Sequence, residues 1–209
     1  MSAILTPLQI EGSATLEGVV VRLEPIRREH AQSFWEIAQN DLEDIFRWIP
    51  YAMRTPEDFR NLLDKAFAEQ ARGESVVFAT VERSSGRVIG STRFMNIDRT
   101  NRRVEIGSTW IAPPWQRTAV NTEAKYLMLR HAFETWGCVR VELKTNAMNY
   151  PSRTAILRIG AREEGTLRKH LISERGIARD TVYFSILDTE WPTAKAGLEA
   201  RMRARGWSA

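Results

Sequence analysis

Residues 104–132 hold the pattern best suited to binding a charged ligand. Positions 104, 106, 110 and 111 are apolar, which is typical of a half-buried strand. Pro113 and Pro114 end that strand, because neither has an N–H for a ladder. After a short basic turn, apolar residues spaced by three and four predict a helix up to Ala132, capped by Asn121 or Thr122. The unpaired N–H groups of such a helix start predict an anion site, most usefully for a phosphate.

A second strand-to-helix turn follows the next predicted strand. Residues 138–144 alternate apolar and charged side chains, and Asn149 and Pro151 then start a short helix. A strand–helix–strand unit implies parallel strands joined by a right-handed crossover, so both turns lie at one edge of the sheet. If the two strands part beyond Trp110, a cleft opens there, and open α/β sheets bind ligands at such places.

The composition is that of a globular chain with one domain. The chain has 209 residues, of which 43% are hydrophobic and 27% charged, and its net charge is +4. The single cysteine, Cys138, excludes an internal disulfide, and the three histidines show no metal-ligand spacing, so we expect no metal. No apolar run approaches the ~18 residues of a membrane span and no export signal is visible, so we expect a cytoplasmic protein without a membrane partner. Basic and acidic residues are interleaved, which disfavours a nucleic-acid partner.

The order of the predicted elements indicates an α/β (α+β) fold. We expect a loosely attached arm at residues 1–18, one domain at 19–192, and a C-terminal helix and tail at 193–209. The predicted order β-α-α-β-β-β-α-β-α-β-β gives a mixed, mainly antiparallel sheet with helices on both faces. One helix start is clear, because Thr55 and Pro56 are followed by two acidic residues.

At these residues the sequence resembles the GNAT acetyltransferases. Residues 116–121 stand where that family has its pyrophosphate loop, Gln/Arg-x-x-Gly-x-Gly/Ala. Residues 121–125, the pair Asn149 and Ser152, and residues 179–183 are similar to the branch that acetylates ribosomal-protein N-termini (RimJ/RimL-like). The likeness runs from about residue 16 to residue 192. It implies the GNAT fold, with a seven-stranded sheet whose central parallel strands splay apart.

The resemblance implies acetyl-CoA as the cosubstrate. Its pantetheine arm would bond to the backbone of the central strand and its pyrophosphate to the amides of the loop, with Arg117 adding charge-assisted bonds. The implied coenzyme contacts are Trp110, Ile111, Gln116, Arg117, Thr118, Ala119, Val120, Asn121, Thr122, Asn149 and Ser152. Ala119 and Asn121 occupy the two small-residue positions of the loop, and asparagine brings a side chain near the phosphate. Asn149 has the alternative role of a helix cap.

Acetyl transfer from a thioester to an amine needs a neutral amine, an oxyanion stabiliser and a proton for the leaving thiolate. The backbone N–H of Ile111 is the predicted oxyanion donor. Ser152 matches the family serine that hydrogen-bonds the departing sulfur, although it equally suits an early-helix hydroxyl. Glu105 and Glu164 are the candidate general bases, and each has the alternative of an ordinary salt bridge.

The acceptor is an amine whose identity stays open. The aromatic residues Trp48, Tyr51 and Phe94 are the predicted walls of its pocket. For Trp48 and Tyr51 the alternative is that their rings close the edge of the core. An α-amino group of pKa ~8 costs only about 1 kcal/mol to deprotonate at pH 7, whereas a lysine near ~10.4 costs roughly 4.6, so a ribosomal or other protein N-terminus is the easier acceptor. The alternatives are an antibiotic or polyamine acceptor, and a coenzyme-A sensor without transfer activity. The resemblance also allows a homodimer.

Overall fold

An eight-stranded mixed sheet forms the centre of the protein. The structure is a computed structural model and describes residues 6–10, 14–173, 176–204 and 206. The strands are β1 (Leu16–Glu17), β2 (Val21–Pro25), β3 (Val76–Glu82), β4 (Val88–Asp98), β5 (Arg103–Ile111), β6 (Arg140–Asn146), β7 (Arg162–Ile172) and β8 (Ala178–Leu187). Their order in the sheet is β1-β2-β3-β4-β5-β6-β8-β7. The β5–β6 pair is parallel and every other neighbouring pair is antiparallel, which confirms the predicted mixed, mainly antiparallel sheet.

Helices cover both faces of the sheet, as predicted. They are α1 (His30–Ala38), α2 (Leu42–Phe46), α3 (Pro56–Ala71), α4 (Val120–Arg130), α5 (Tyr150–Arg158) and α6 (Trp191–Arg203). A single 3-10 turn, Pro113–Trp115, precedes α4, and a π-helical turn, His131–Thr135, follows it. Among the described residues, no helix is both long enough and apolar enough to cross a bilayer.

The two faces of the sheet bury different sets of side chains. Because successive strand residues point to opposite faces, Val76 and Phe78 pack with α4, α5 and α6, whereas Val77 and Ala79 pack with α1, α2 and α3. Helix α3 begins where the sequence predicts, since Thr55 and Asp58 form a reciprocal capping box ahead of Pro56. The sheet thus separates two hydrophobic clusters.

Two side chains of the predicted loose arm belong to this core. Leu8 and Leu16 are buried in the same cluster as α4, and the short strand β1 adds the eighth strand that the sequence analysis missed. The carboxylate of Glu123 on α4 accepts 2.7 Å hydrogen bonds from the N–H groups of Val19, Val20 and Val21. One buried side chain therefore fixes the chain entry to β2 against α4.

The C-terminal helix is equally part of the core. Trp191 and Leu198 are buried, and the hydroxyl of Tyr126 on α4 donates a 2.8 Å hydrogen bond to Glu199 on α6. The predicted boundary at residue 192 therefore falls inside a helix that packs on the domain.

Candidate active site

The central feature of the site is a gap between β5 and β6. These parallel strands pair only through Arg103 with Arg140, Val104 with Val141 and Glu105 with Glu142. Beyond Glu105 the strands diverge. The predicted point of separation was Trp110, so the strands part five residues earlier than expected. The carboxyl halves of both strands therefore flank an opening whose closed end lies at Glu105.

The backbone of β5 directs hydrogen-bonding groups into this gap. The N–H of Ala112 bonds to the carbonyl of Ile89 on the β4 side at 2.9 Å. Because backbone groups alternate along an antiparallel ladder, the N–H and C=O of the preceding Ile111 face the opposite side, toward β6. The Ile111 carbonyl accepts a 2.8 Å bond from the side chain of Gln116. Its N–H thus has the direction that the predicted oxyanion donor requires.

A β-bulge interrupts β5 beside the gap. The register against β4 shifts between Ser91 and Arg93, and Ser108 has a positive φ of 45°. The extra residue changes the alternation, so that Thr109 faces α4 and Trp110 packs in the cluster of α1, α2 and α3. Trp110 is consequently buried, and only its backbone is available to a ligand of the gap.

The predicted anion loop lies at the top of the gap. Helix α4 begins at Val120 with Ala119 as its N-cap, so the predicted capping by Asn121 or Thr122 is wrong. Alanine has no side-chain oxygen, so the N-cap residue offers no acceptor to the first-turn N–H groups of Asn121 and Thr122. The first N–H groups of an α-helix also have no partner in the helix itself. Arg117 is exposed and has a φ of 61°, which turns the loop toward the helix start.

The hydrogen-bond donors of the loop are of the kind that bind a diphosphate. Thr118 stabilises the turn, since its hydroxyl donates to the carbonyl of Trp115 at 2.7 Å and accepts from the N–H of Val120 at 3.3 Å. Oδ1 of Asn121 is buried without a hydrogen-bond partner among the described residues, so that atom does not occupy the open side of the loop. The amides at the positive end of α4 and the Arg117 guanidinium are the groups that favour an anion here.

The second turn, at the end of β6, brings two predicted residues together. Asn149 is the N-cap of α5, and its side chain accepts a 3.2 Å hydrogen bond from the N–H of Ser152. Asn149 therefore caps α5, which was the alternative role predicted for it. It also fixes the position of the half-buried Ser152, whose helix starts across the gap from α4.

Glu105 closes the lower end of the gap, on the face away from α4. Its carboxylate is 2% exposed and accepts bonds from Lys144 at 3.0 Å and Asn96 at 2.8 Å. The Lys144 ion pair crosses from β6 to β5 just beyond their last paired residues. A Cβ on Gly107 would lie 3.1 Å from the Glu105 carboxylate, so the glycine provides room for this arrangement.

The geometry argues against Glu164 as a general base. Arg140 binds both of its carboxylate oxygens, and the Ser185 hydroxyl donates to it at 2.7 Å. The hydrogen bonds from Arg140 chiefly hold the pKa of Glu164 down, at about 2. A carboxylate of so low a pKa is a weak proton acceptor at neutral pH. The salt-bridge alternative for Glu164 is thus present in the structure, and its role as a base stays a prediction.

Two of the predicted acceptor walls line a groove that leads to the gap. The groove, of about 790 Å³, lies between the segment that contains α2 and the β7–β8 hairpin, and Trp48, Tyr51, Asn146 and Arg179 are among its lining residues. Burial chiefly raises the pKa of Tyr51, whose hydroxyl forms a hydrogen bond with the side chain of Ser108. The inner end of the groove thus reaches the β5 bulge and the last residue of β6.

The third predicted wall, Phe94, is wrong. Its side chain is fully buried and packs against Phe78, His131 and Trp136 on the α4 face. The side chain of Phe94 lies on the face of the sheet opposite the groove, so Phe94 contributes to the core and not to the groove.

Lys125 is a residue of the site region that the sequence analysis missed. It lies on α4, is buried, and its Nζ bonds to the hydroxyl of Thr109 on the β5 bulge at 2.6 Å. Burial lowers the pKa of Lys125 to about 7. The only available signal was a lysine inside an otherwise apolar helix face. Among the residues described, no group of three or more His, Cys, Asp or Glu side chains is arranged to hold a metal ion.

The splayed parallel strands, the anion loop and the adjoining groove define a class of protein, the coenzyme-A-dependent acyltransferases of the GNAT type. A family model described as acetyltransferase (GNAT) domain matches residues 21–162. The chain belongs to the GNAT acetyltransferase family, which confirms the predicted family and the predicted enzyme class.

Individual relatives agree with this assignment. A Bacillus subtilis protein with the provisional name ribosomal N-acetyltransferase YdaF is 36% identical over 110 residues, which cover 53% of this chain and 59% of that protein. The match thus spans less than two thirds of that relative's length. The crystal structure of a GCN5-related N-acetyltransferase from Brucella melitensis has a TM-score of 0.87 and 34% identity, covering 94% of this chain and 88% of that one. Mycobacterium smegmatis RimJ, solved in complex with CoA-disulfide, has a TM-score of 0.77 and 26% identity, covering 94% and 93%.

Proposed function

We propose that this chain transfers the acetyl group of acetyl-CoA to the α-amino group of a protein N-terminus. The observation that carries the proposal is the gap between β5 and β6, which has free helix-start amides at its top and an acceptor groove at its side. The names of the relatives, a ribosomal N-acetyltransferase and RimJ bound to CoA-disulfide, support both the donor and the kind of acceptor. A ribosomal acceptor would place the reaction in the cytoplasm.

The coenzyme is held by backbone groups and one cation. The diphosphate binds the amides of Asn121 and Thr122 and the guanidinium of Arg117. The pantetheine arm bonds to the edge of β5 around Ile111. Ala119 lets the backbone approach the phosphates, because its side chain is a single methyl group.

In the transfer step the amine nitrogen forms a bond to the thioester carbonyl carbon and the carbon–sulfur bond breaks. The amine loses one proton and the thiolate gains one, so the products are an acetylated N-terminus and free coenzyme A. The N–H of Ile111 stabilises the negative charge that develops on the carbonyl oxygen, and the Ser152 hydroxyl donates a hydrogen bond to the departing sulfur. An α-amino group of pKa ~8 is partly neutral at pH 7 and therefore needs no strong base. Glu105, already bonded to Lys144 and Asn96, is the remaining candidate to accept its proton.

Release of free thiol from acetyl-CoA tests this proposal. The acceptor panel contains N-terminal peptides, a polyamine and an aminoglycoside, and each is measured with the wild type and with Ser152→Ala. Thr154→Ala is the matched control, because Thr154 is an exposed hydroxyl on the same helix. We expect thiol release with peptides, a lower turnover number in Ser152→Ala, and no change in Thr154→Ala.

Three results would count against parts of the proposal. Coenzyme binding without thiol release from any acceptor favours the sensor alternative. Thiol release with the polyamine or the aminoglycoside alone favours a small-molecule enzyme. Equal rates for Ser152→Ala and the wild type remove Ser152 from the reaction.

A further inference from the structure

Three buried polar atoms without partners cluster on the β7–β8 hairpin. Among the described residues, four buried side-chain polar atoms have no hydrogen-bond partner, and three of them are Nδ1 of His170, Nε of Arg179 and Oγ1 of Thr181. Leaving such a group unpaired in a protein interior is destabilising, because it loses its hydrogen bonds to water and gains none in return. Because native proteins pair nearly all buried polar groups, three unpaired atoms on one hairpin need an explanation.

The three side chains lie on the face of the sheet that carries the acceptor groove. Arg179 lines the groove and donates a hydrogen bond to the carbonyl of Trp48 on its opposite wall. Strand alternation puts Thr181 and Tyr183 on the same face as Arg179. The ring of His170 packs edge-on against that of Tyr183, with centroids 5.7 Å apart, and so belongs to this face too.

The cluster is close to the reacting end of the groove. Thr181 pairs directly with Asn146, the last residue of β6, which also lines the groove. Beyond that residue lies the open part of the β5–β6 gap. When the amine of a bound acceptor reaches the gap, the atoms next to that amine therefore lie beside the cluster.

Arg179 gives the cluster a preference for oxygen ligands. Its side chain is half-buried, burial lowers its pKa, and the hydrogen bond it donates within the described structure goes to a neutral carbonyl. Buried cations in proteins are normally paired with an anion or with several acceptors. A carbonyl oxygen of a ligand supplies such an acceptor, whereas a second cation is repelled.

We propose that Arg179, Thr181 and His170 form the specificity-determining cluster that binds the first peptide bond of the acceptor. The peptide carbonyl accepts from Arg179, and the peptide N–H donates to Thr181 or to the unpaired nitrogen of His170. An alkylamine or polyamine has no carbonyl, and a polyamine adds positive charge beside the guanidinium. This inference rests on the proposed acetyl transfer and extends it to the residues that select the acceptor.

The experiment compares two acceptors that differ in the peptide bond. One is a hexapeptide with a free N-terminal alanine, and the other is a straight-chain alkylamine. Their KM and kcat values are measured for the wild type, Arg179→Ala, Thr181→Val and the control Arg168→Ala, which removes an exposed arginine of the same hairpin. Melting temperatures identify any variant that does not fold, and Arg179→Lys, which keeps the charge but loses the planar fork, then replaces Arg179→Ala.

We expect Arg179→Ala to raise the peptide KM by about tenfold or more and Thr181→Val by several-fold, since each loses a hydrogen bond to the bound acceptor. The KM for acetyl-CoA and the kinetics with the alkylamine stay at the wild-type values, and Arg168→Ala behaves as the wild type throughout. Arg179→Lys gives a KM between those of the wild type and Arg179→Ala.

Several outcomes overturn the inference. An unchanged peptide KM means that the cluster only holds water, and an equal rise for both acceptors means a structural role. Wild-type turnover of the alkylamine but not the peptide rejects the cluster while leaving acetyl transfer intact. No wild-type turnover with either acceptor rejects the proposed function itself.

Discussion

Lys125 is the side chain whose chemistry is most altered by its position. An amine on α4 is buried against two threonine hydroxyls, those of Thr109 at 2.6 Å and Thr92 at 3.4 Å. Neither hydroxyl carries a charge that could stabilise an ammonium, so burial lowers the pKa of Lys125 from 10.5 to about 7. The group that supports the β5 bulge is therefore partly neutral at physiological pH.

This shift predicts a pH-dependent stability. Below pH 7 Lys125 is charged in both the folded and the unfolded chain; between the folded pKa of about 7 and the unfolded value of 10.5, only the unfolded chain keeps the proton. The free energy of unfolding therefore rises with pH across this window, by up to about 1.4 kcal/mol per pH unit. We expect the wild type to gain roughly 2–3 kcal/mol relative to Lys125→Met between pH 7 and pH 9. Denaturant unfolding of both proteins at the two pH values measures the gain, and a constant difference would contradict it.

Glu164 gives a prediction of the same sign in a lower pH window, because its pKa is also lowered in the folded chain. Its pKa is held at about 2 by Arg140, below the ordinary 4.5, so its stabilising contribution is present above pH 4.5 and is lost as the pH falls toward 2. Glu164→Gln should therefore melt at a lower temperature than the wild type at pH 7, with the difference shrinking in acid. Its turnover number should equal that of the wild type, because the residue is paired with Arg140. A large loss of turnover in a folded Glu164→Gln protein would restore it as a base.

For single residues, the sequence predicts local spacing better than it predicts burial and pairing. Asn149 and Ser152 lie next to each other because a helix start fixes their spacing. The exposure of an aromatic or acidic residue depends on what the rest of the chain packs against it. The sequence therefore could not show that Phe94 is buried, or decide between the base and salt-bridge roles of Glu164. The partner of Glu164 lies 24 residues away in the chain.

Of the six described α-helices, only α4 has an N-cap residue whose side chain lacks an oxygen. Most helices use a serine, threonine, aspartate or asparagine at the N-cap, which contributes about 1 kcal/mol. Ala119 cannot do so. The N-cap residue thus leaves the first-turn donors to the proposed diphosphate, at the expense of stability in the free protein.

Substitutions at this N-cap should separate stability from binding. Ala119→Ser and Ala119→Asp supply the missing acceptor, and we expect each to raise the free energy of unfolding of the free protein by about 0.5–2 kcal/mol. Both side chains compete with the diphosphate for the same amides, and the aspartate also repels it, so coenzyme affinity should fall in the order Ala, Ser, Asp. Thermal melts and calorimetric titration with coenzyme A measure the two effects. Unchanged affinity in Ala119→Asp would mean that the diphosphate binds elsewhere.

Elements with strong local signals were predictable. The capping box of α3 and the alternation of β6 depend only on residues close together in the chain, and both elements occur as expected. Strand β1 has two residues, too few for a periodicity, and its pairing depends on β2. The point at which β5 and β6 part was predicted too late in the chain, because parallel pairing depends on how the crossover helix packs.

For the whole molecule, the sheet separates two hydrophobic clusters, and the proposed ligand sites lie where the pairing of β5 with β6 ends. A ligand that binds the folded chain but not the unfolded chain stabilises it by about 2.7 kcal/mol at one hundred times its dissociation constant. For a chain of this size we expect coenzyme A to raise the melting temperature by roughly 5–11 °C under that condition. Thermal melts with and without the coenzyme measure the shift, with adenosine as a control that lacks the diphosphate and pantetheine. No shift at saturating coenzyme would reject the gap as its binding site.

The whole fold was predictable in class, although not in strand count. The order of strands and helices along the chain, together with four motifs in one order, implied the family and the splayed sheet. The predicted homodimer remains a prediction, to be tested by the mass of the protein in solution.

The three residue pairs that join β5 to β6 are also the only direct strand pairing between the two halves of the described sheet. Little backbone bonding therefore opposes a slight separation of the halves, and amide hydrogens along this junction should exchange with solvent sooner than those of β3 or β4. A donor molecule seated in the junction would tie one half to the other. Slower deuterium uptake on both sides of it would then show that the substrate itself completes the sheet.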